Sequence, residues 1–482
     1  MKTRNTLTLL VAIVAGFLAL GATLGQARGQ MIGINVLLNQ PASDSILQDL
    51  SAHGQVLDVI PQINGVTLRA QRSELSTIQT LPYVEGANAD ATADLASGTN
   101  YWNLDAVNVT DFGIGRVVGY DGTGVYIAVI DTGLPHNWRA YFPEERIAVD
   151  LARSFGGGGG DRGTVSSQPE RWERDTNGHG IAVTSVILGF RYNLSDPPLP
   201  STFDGVAPQA TIIPVKVLTE SNSNKWWSAF ARAIVYVTDL KVGGTLGSAP
   251  LVINMSFGGP EEDVLLRAAI DYAIANGVVP VAAAGNEASA GMRFPGRYAP
   301  VISAGGTGLV GEFPPEDPTL IEWILNDVAE NDPSQHLVAP FSAWELPGQD
   351  LDVLAPGFPV PIPGPLGGGG VGMVDYNFAF GTSFATPHVA GIAALMLQKN
   401  PGLTAAQIEQ ILENTAFPLP PGCRNIRVAS PPAPVGAPPG HWYSWRWRDF
   451  VNVLLFNADF CWNEAAAGDG LVQADTALAA TP

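Results

Sequence analysis

From Tyr101 onward, short runs of consecutive apolar residues alternate with stretches in which apolar positions recur at helical spacing. Uninterrupted apolar runs are typical of strands that are buried on both faces of a sheet. Strands that alternate with helices predict an α/β fold with a doubly wound, mainly parallel sheet. The predicted strands are Val125–Ile130, Ile212–Leu218, Leu251–Met255, Val278–Ala283 and Val301–Ala304, and the predicted helices include Trp227–Leu240 and Val264–Ala275.

The region before residue 90 has shorter elements and a different pattern, which predicts a separate small α+β domain. Asn64-Gly65 predicts the turn of a strand pair. Small and polar residues from Ala91 to Asn100 predict a linker to the larger domain. The predicted strands are Ile32–Leu38, Val56–Ile60, Val66–Ala70 and Tyr83–Ala89, and the predicted helices are Asp44–His53 and Ser73–Thr80.

The first residues have the three parts of a secretory signal peptide. Lys2 and Arg4 precede an apolar run from Leu7 to about Leu20, and the small residues Gly25 and Ala27 then occupy the positions before a cleavage site. We expect cleavage after residue 27 and export to the medium or the periplasm. The alternative is an uncleaved membrane anchor, because the apolar run approaches the length that spans a bilayer.

Composition narrows the choice of partners. The chain has 482 residues, enough for two or three domains, with 25 Lys+Arg against 45 Asp+Glu and a net charge of −20. Nucleic-acid binding needs a basic face, so we expect no nucleic-acid partner. Two cysteines, Cys423 and Cys461, remain in the exported chain. An even number in an oxidising compartment predicts one disulfide, and two free thiols are the alternative.

Three short segments each place a reactive side chain at the boundary of an element. Asp131 ends a buried strand, His179 precedes a helix of small residues, and Ser383 begins another helix. A serine hydroxyl is a poor nucleophile at neutral pH, and a histidine is a suitable base for its proton. A carboxylate on the other ring nitrogen fixes the tautomer of the imidazole. The segments are Ala128–Gly133, Asn177–Gly180 and Gly381–His388, and the helices that follow the last two are Ile181–Leu188 and Val389–Leu397.

An acyl-transfer site also needs donors for the oxyanion of its tetrahedral intermediate. Asn286 follows the apolar strand Val278–Ala283, and we expect its amide to act together with the backbone N–H of Ser383. Gly178 and Gly180 lack a Cβ beside the histidine, and we expect them to let the substrate approach closely.

The order and the flanking residues of these segments resemble the subtilisin-like serine proteases. The resemblance covers most of residues 101–417 and resumes at Gly468–Leu478, with Gly381–Gly391 matching almost residue for residue. Ile181 departs from the family, which more often has Thr there. The resemblance implies a serine endopeptidase of polypeptides that forms an acyl-enzyme and needs no cofactor. The implied catalytic residues are Asp131, His179, Ser383 and Asn286.

The resemblance also implies residues that contact the substrate. Asn254–Gly259 resembles the strand on which an extended peptide adds as a further strand. Alignment with the family places Arg293 near the floor of the main specificity pocket and Glu287 near its rim. Our hypothesis is a polar pocket that accepts an acidic side chain, with Glu287 opposing it. The implied substrate-binding residues are Ser256, Phe257, Gly258, Ala284, Gly285 and Arg293.

Residues 31–90 resemble the inhibitory propeptide of the same family in size, element order and position. This resemblance implies a segment that assists folding, inhibits the enzyme and is removed by self-cleavage within Ala89–Asn100. We therefore predict a signal peptide at 1–27, a propeptide at 28–97 and a catalytic domain at 98–482. Inserts relative to a minimal family member are expected at about 156–171, 309–340 and 418–467.

Some features stay outside this interpretation. Tyr192–Asp204 does not match the usual calcium loop, so a structural Ca²⁺ is left open and assigned to no residue. We expect His388 to be structural and Trp442–Arg448 to be a packed strand, with a sugar-binding surface as the alternative for the latter. We also expect a monomer without a stable membrane anchor. The alternative function is a catalytically silent secreted binding protein on the same fold, which a missing triad residue would favour, and none is missing.

Overall fold

The computed structural model describes residues 31–89, 102–111, 114–156, 165–191, 202–218, 226–310, 327–329, 332–364, 375–430 and 454–482. These residues belong to two compact units, a small N-terminal unit and a larger unit from Trp102 onward. The expected signal peptide, residues 90–100 of the expected cleavage segment and the stretch Trp442–Arg448 lie outside the described residues.

The N-terminal unit is a four-stranded antiparallel sheet in the order β2-β3-β1-β4, with two helices. Its core consists of apolar side chains such as Ile34, Leu50 and Leu68, all with 0% exposure. Asn64 has a φ of 53°, the left-handed turn conformation that its Asn-Gly sequence favours, and it separates β2 from β3. The elements are β1 Met31–Leu38, α1 Asp44–His53, β2 Gly54–Ile60, β3 Gly65–Gln71, α2 Glu74–Ile78 and β4 Val84–Ala89.

The larger unit has strands and helices that alternate as predicted. Its helices are α3 Trp102–Asp105, α4 His179–Leu188, α5 Trp227–Val242, α6 Val264–Ala275, α7 Thr382–Lys399, α8 Ala405–Thr415 and α9 Ala474–Ala480. Its strands are β5 Thr110–Asp111, β6 Gly115–Arg116, β7 Tyr126–Asp131, β8 Arg153–Gly156, β9 Ser166–Ser167, β10 Gly189–Arg191, β11 Thr202–Asp204, β12 Thr211–Lys216, β13 Leu251–Met255, β14 Val278–Ala283, β15 Ile302–Leu309, β16 His336–Val338, β17 Val353–Phe358, β18 Val360–Gly364, β19 Asp375–Ala379, β20 Gly422–Ser430 and β21 Leu454–Trp462.

The centre of this unit is a nine-stranded sheet. The strands from β8 through β12, β7, β13, β14 and β15 to β17 pair in parallel, and β9 and β16 add antiparallel partners. The predicted α/β fold with a doubly wound, mainly parallel sheet is therefore confirmed.

Both faces of the sheet are covered, which explains the uninterrupted apolar runs. Ile127 and Val252 belong to a core that also includes residues of α4 and α7. The next residue along each strand, Ala128 and Ile253, belongs to a second core with residues of α5 and α6. Because successive strand residues point to opposite faces, a strand between two helical layers has few positions for a polar side chain.

The expected insert at 418–467 contains a hairpin of β20 and β21 that is joined by the Cys423–Cys461 disulfide. The predicted disulfide is thus confirmed, and the alternative of two free thiols is wrong. The chain then returns to the body of the unit, where Leu471 bridges to Leu354 and to Phe417.

Among the described residues, no helix combines the length and the apolar character that crossing a bilayer requires.

Candidate active site

Asp131 is the last residue of β7 and is completely buried. In the sheet, β7 lies between β12 and β13. The chain adds β12 on one side of β7 and β13 on the other, so the strand order changes direction at β7. Ligands of doubly wound sheets bind beyond the carboxyl ends of the strands at such a point. The sheet therefore positions Asp131 at the edge where the sequence predicts chemistry.

His179 begins α4 and lies directly against this carboxylate. Its Nδ1 is 2.9 Å from Oδ1 and 2.9 Å from Oδ2 of Asp131. The backbone N–H of Thr132 also donates to Oδ1, at 2.6 Å. The contact assigns the ring proton to Nδ1, so that Nε2 of the neutral imidazole is an acceptor. A histidine in this tautomer can take a proton from a nucleophile.

Two glycines let the aspartate and histidine segments approach each other. Gly178 has a φ of 86° at the N-terminus of α4, a conformation that favours glycine. A Cβ on Gly180 would lie 2.2 Å from the carbonyl oxygen of Gly133. The missing Cβ of Gly180 therefore accommodates the neighbouring backbone, and the substrate approach expected at these glycines stays a prediction.

Asp175 is a buried residue of the site that the sequence reasoning missed. Its carboxylate accepts the backbone N–H groups of Asn177 at 2.9 Å and Gly178 at 3.1 Å, and the hydroxyl of Thr132 at 2.9 Å. The Thr132 hydroxyl in turn accepts the N–H of Gly180 at 2.8 Å. Asp175 therefore fixes the segment that precedes His179, and an Asp two residues before an Asn-Gly pair is the signal that could have found it.

The electrostatic environment favours the charged form of His179. Burial lowers the pKa of His179, but the charge of Asp131, its hydrogen bond and the charge of Asp175 raise it, and the net shift is upward. Burial raises the pKa of Asp175 to about 6, against its N–H and hydroxyl donors and the positive charge of Lys216. A raised histidine pKa suits an imidazole that becomes protonated during the reaction.

Ser383 lies in the first turn of α7, so it begins a helix as expected, and this helix continues through the residues predicted as Val389–Leu397. Pro387 lies one turn further along and has no N–H for the carbonyl of Ser383. The hydroxyl of Ser256 donates to that carbonyl at 2.7 Å instead. A serine at the end of the neighbouring segment thus compensates for the proline and lets the helix start at the nucleophile.

The Ser383 hydroxyl is directed to a backbone acceptor in this structure. Its Oγ donates to the carbonyl oxygen of Ser256 at 3.0 Å. The ring of Phe384, the next residue, lies 5.6 Å from the ring of His179 between centroids. Rotation of one χ1 torsion redirects the hydroxyl, and such contacts commonly tighten only when a substrate is bound.

The side chain of Asn286 is oriented by α7. Its Oδ1 accepts both the backbone N–H of Thr382 at 2.9 Å and the hydroxyl of Thr382 at 3.0 Å. With Oδ1 occupied, the amide group Nδ2 is the part that remains to donate. Gly381, directly before α7, has a φ of 145°, a backbone conformation that favours glycine. The geometry therefore leaves Nδ2 as a side-chain hydrogen-bond donor, and the oxyanion role of Asn286 stays a prediction.

Arg293 joins the two segments that are expected to contact the substrate. Its backbone N–H donates to the carbonyl of Ala284 at 2.8 Å. Its side chain lies beside Gly258 and Gly285, where an added Cβ would come within 2.7 and 2.8 Å of Arg293 carbons. The Nε of Arg293 forms a 3.0 Å ion pair with Glu287. The positive charge at this position is therefore neutralised within the protein.

The remaining expected substrate residues have distinct surroundings. The ring of Phe257 packs on Phe230 at 4.3 Å between centroids, so it contacts α5. Ala284 is fully buried, and its N–H donates to Ala304. Gly285 donates its N–H to the hydroxyl of Thr382 at 3.3 Å. The segments of Ser256 and Gly285 thus both contact the first turn of α7.

His388 lies in α7 and has no exposed surface. Its Nδ1 donates to the carbonyl of Phe384 at 2.7 Å, and its Nε2 accepts from the amide of Asn103 at 2.9 Å. Burial lowers the pKa of His388 to about 4. Its contacts fit the structural role expected from the sequence.

Comparison with known proteins leads to the same interpretation as the geometry of Asp131, His179 and Ser383. Residues 122–441 match the model of the Subtilase family. The chain belongs to the subtilase family. Its triad segments occur in the order Asp, His, Ser that is known from subtilisin.

Similarity to individual subtilases extends over most of the larger unit. Subtilisin E of Bacillus subtilis (strain 168) is 33% identical over 305 residues, which are 62% of this chain and 62% of that protein. Subtilisin of Bacillus pumilus is 32% identical over 305 residues, 62% of this chain and 86% of that protein. Alkaline elastase YaB of Bacillus sp. (strain YaB) is 30% identical over 347 residues, 72% of this chain and 68% of that protein. The match to subtilisin E thus spans less than two thirds of its length.

Proposed function

We propose that the protein is a secreted serine endopeptidase that is made as a self-processing zymogen. The observation that carries this proposal is the Asp131–His179 pair, with Nδ1 of His179 bonded to the carboxylate and Nε2 left as an acceptor beside the first turn of α7. Membership of the subtilase family supports it, as does the presence of every triad residue.

In the proposed reaction, Ser383 Oγ attacks the carbonyl carbon of the scissile peptide bond while its proton passes to Nε2 of His179. Asp131 stabilises the resulting imidazolium. The oxyanion accepts hydrogen bonds from Asn286 Nδ2 and from the N–H of Ser383, which lies in the first turn of α7. His179 then gives its proton to the leaving amine as the C–N bond breaks. Water hydrolyses the acyl-enzyme by the same steps in reverse.

The zymogen part of the proposal is supported by the N-terminal unit. This unit has its own sheet and its own core, so it can act as a removable domain. Secretion is supported by the signal-peptide pattern of the first residues and by the Cys423–Cys461 disulfide, since disulfides persist in oxidising compartments.

For the specificity pocket, we propose that Arg293 forms a polar floor. Its side chain limits the space in the pocket, and its ion pair with Glu287 limits the positive charge that a substrate meets. The side chain lies against Gly258 and Gly285 and therefore occupies space between two substrate segments. Its ion pair with Glu287 must open before an acidic substrate group can pair with it. Profiling of a peptide library tests this proposal, which a preference for large apolar residues on the acyl side of the cleaved bond would overturn.

The proposed function is tested by expressing the wild type and Ser383→Ala in parallel, followed by intact mass and labelling with a serine-directed phosphonate. We expect the wild type to lose residues up to the segment 89–100 and to take the label. The variant should stay long and unlabelled. If both proteins are folded but keep the N-terminal unit and take no label, an added protease is used to remove that unit and the labelling is repeated. This distinguishes maturation by another protease from a protein without activity. A trimmed wild type that still takes no label would indicate a catalytically silent binding protein.

A further inference from the structure

Arg293 and Glu287 form an ion pair beside the segments that are expected to bind the substrate. The pair joins Nε of Arg293 to Oε2 of Glu287 at 3.0 Å. The same Oε2 accepts the backbone N–H of Asn286 at 2.8 Å. One carboxylate oxygen is therefore held both by the guanidinium and by the backbone of the residue that is proposed to bind the oxyanion. Because a cation and a backbone donor share this oxygen, the carboxylate of Glu287 is kept in one position.

The stem of Arg293 is fixed by two glycines of the substrate segments. A Cβ on Gly258 would lie 2.7 Å from Cβ of Arg293. A Cβ on Gly285 would lie 2.8 Å from Cγ of Arg293 and 2.7 Å from Oε2 of Glu287. Both segments therefore run directly past the ion pair. A substrate side chain that enters between them meets the arginine and the glutamate together, and not the arginine alone.

Each member of the ion pair keeps a polar end for a ligand. The Nη groups of Arg293 and Oε1 of Glu287 take part in none of the hydrogen bonds among the residues that the structure describes. The two side chains are 28% and 32% exposed, so the pair is accessible. It thus offers hydrogen-bond donors and an acceptor next to each other, with a net charge of zero.

This combination of donors, acceptor and charge distinguishes between the side chains that a substrate can present. A carboxamide has a carbonyl oxygen for the Nη donors and an NH₂ group for Oε1, and it requires no opposite charge. A carboxylate would meet Oε1 of Glu287 as a like charge, and an ammonium group would meet the guanidinium of Arg293. A large apolar side chain would displace water from both polar ends without replacing its hydrogen bonds, which is costly.

We propose that the pocket selects a neutral carboxamide side chain, that of glutamine, on the acyl side of the cleaved bond, with Arg293 and Glu287 as the specificity-determining residues. This inference rests on the proposed endopeptidase function. Glutamine is favoured over asparagine because its longer side chain reaches the floor of the pocket, where Arg293 is expected. An acidic side chain ranks lower, because Glu287 already neutralises the arginine.

The experiment measures kcat/KM of the matured full chain for one peptide in which only the residue on the acyl side of the cleaved bond is changed. Glutamine is compared with glutamate, lysine and methionine, which have unbranched side chains of different polarity. We expect cleavage after glutamine to have a kcat/KM about tenfold or more above the others, since a site that is built for hydrogen bonds rejects analogues that lack them.

Two variants separate the two charges of the pair. Glu287→Gln frees the guanidinium and should raise cleavage after glutamate relative to glutamine. Arg293→Gln frees the carboxylate and should raise cleavage after lysine relative to glutamine. Each ratio should change by about two- to fivefold, because the pair is partly exposed. Glu144→Gln is the matched control, since it removes a charge from an ion pair of the same 3.0 Å length with Arg139 and should change neither ratio.

Three results would overturn the inference, and they can be told apart. If glutamate or methionine is preferred while the protein takes the serine-directed label, the protease function stands and the inference is wrong. If glutamine is preferred but neither variant changes the ratios, another part of the pocket selects it. A protein that takes no label even after removal of the N-terminal unit contradicts the proposed function itself, and the inference fails with it.

Discussion

Asp131 and Asp352 lie at opposite ends of the strands of the same sheet. Asp131 is at the carboxyl end of β7, and Asp352 directly precedes the amino end of β17. Their side chains are almost equally buried, with 0% and 1% exposure. Asp131 accepts an imidazole N–H and a backbone N–H, whereas Asp352 has one oxygen without a donor and further acids around it.

The difference shows what a buried carboxylate can do in each setting. Beside a weak base, its charge is balanced by a group that can gain a proton, so the pair is suited to proton transfer. Beside other carboxylates, its charge is removed by taking up a proton. Burial alone does not distinguish a catalytic aspartate from a structural one, but the hydrogen-bond partners do.

The largest expected effect is that of Asp131→Asn, which tests the catalytic side of the comparison. The amide cannot hold the Nδ1–H tautomer of His179, so kcat should fall by about 10⁴ while the melting temperature changes little. Steady-state hydrolysis of a peptide substrate measures it. A loss of less than tenfold would mean that Asp131 does not orient the base.

Asn286→Ala should have the next largest effect, because it removes the side-chain donor to the oxyanion. We expect kcat to fall by about 10²–10³ with little change in KM, the size known for the corresponding asparagine of subtilisin itself. Thr382→Val is a useful comparison, since it removes only the hydroxyl that holds Oδ1 of Asn286. It should cost much less, and an equal loss in both variants would argue that Asn286 merely supports α7.

Asp352→Asn tests the other end of the strands. In calcium-free buffer at neutral pH, the free energy of unfolding should rise by about 1–3 kcal/mol. Burial raises the pKa of Asp352 to about 8, so the folded protein must protonate this carboxyl at neutral pH, and an amide removes that cost. Urea denaturation in the Ser383→Ala background measures it. Destabilisation without Ca²⁺ would show that the carboxylate is already compensated within the protein.

Glu287→Gln probes the charge of the proposed specificity pocket. The ion pair with Arg293 is partly exposed, so its removal should shift specificity only a few-fold. The ratio of kcat/KM for an acidic over a neutral side chain at the acyl side of the cleaved bond should rise. Arg293→Gln in the same assay should lower it, and unchanged ratios in both variants would place the pair outside the pocket.

The smallest effect is expected from Asp175→Asn, a shift in pH dependence. The charge of Asp175 raises the pKa of His179, so the acidic limb of the kcat/KM profile should move to lower pH in the variant.

The pH dependence of stability should change in the Asp175→Asn variant as well. Burial raises the pKa of Asp175 from 3.8 to about 6, so its favourable contribution to stability is present below pH 3.8 and is lost as the pH rises to about 6. Asp175→Asn should remove this loss, and an unchanged pH profile would contradict the electrostatic role.

The central strands could be predicted from the sequence because burial on both faces makes nearly all of their positions apolar. Leu251–Met255 and Val278–Ala283 were predicted with the bounds that the structure has. The short strands β8, β9 and β16 could not be predicted, since pairing with a distant neighbour defines them and no apolar run marks them.

Within the candidate site, the motifs predicted which residue types meet but not every support between them. The start of a helix at Ser383 was predicted, but the hydrogen bond from the Ser256 hydroxyl to the Ser383 carbonyl, which Pro387 leaves open, was not. Asp175 was missed because it binds backbone N–H groups and not a reactive side chain, and its position two residues before Asn177-Gly178 is the one signal that could have found it.

The group of Asp352, Glu409 and Glu413, whose carboxylate oxygens lie within 4.8 Å of one another, was missed because its members come from elements that are distant in sequence.

The β20–β21 hairpin also matters for how this chain can change. Its strands are paired from Gly422 and Trp462 through to Ser430 and Leu454, and a covalent bond joins Cys423 to Cys461 near the base. Ser430 and Leu454, the described residues on either side of 431–453, are therefore adjoining positions. Length and composition can vary there without altering the spacing of the catalytic side chains. The hairpin is thus a natural place to graft a binding sequence, or for evolution to acquire one, while the sheet keeps its chemistry.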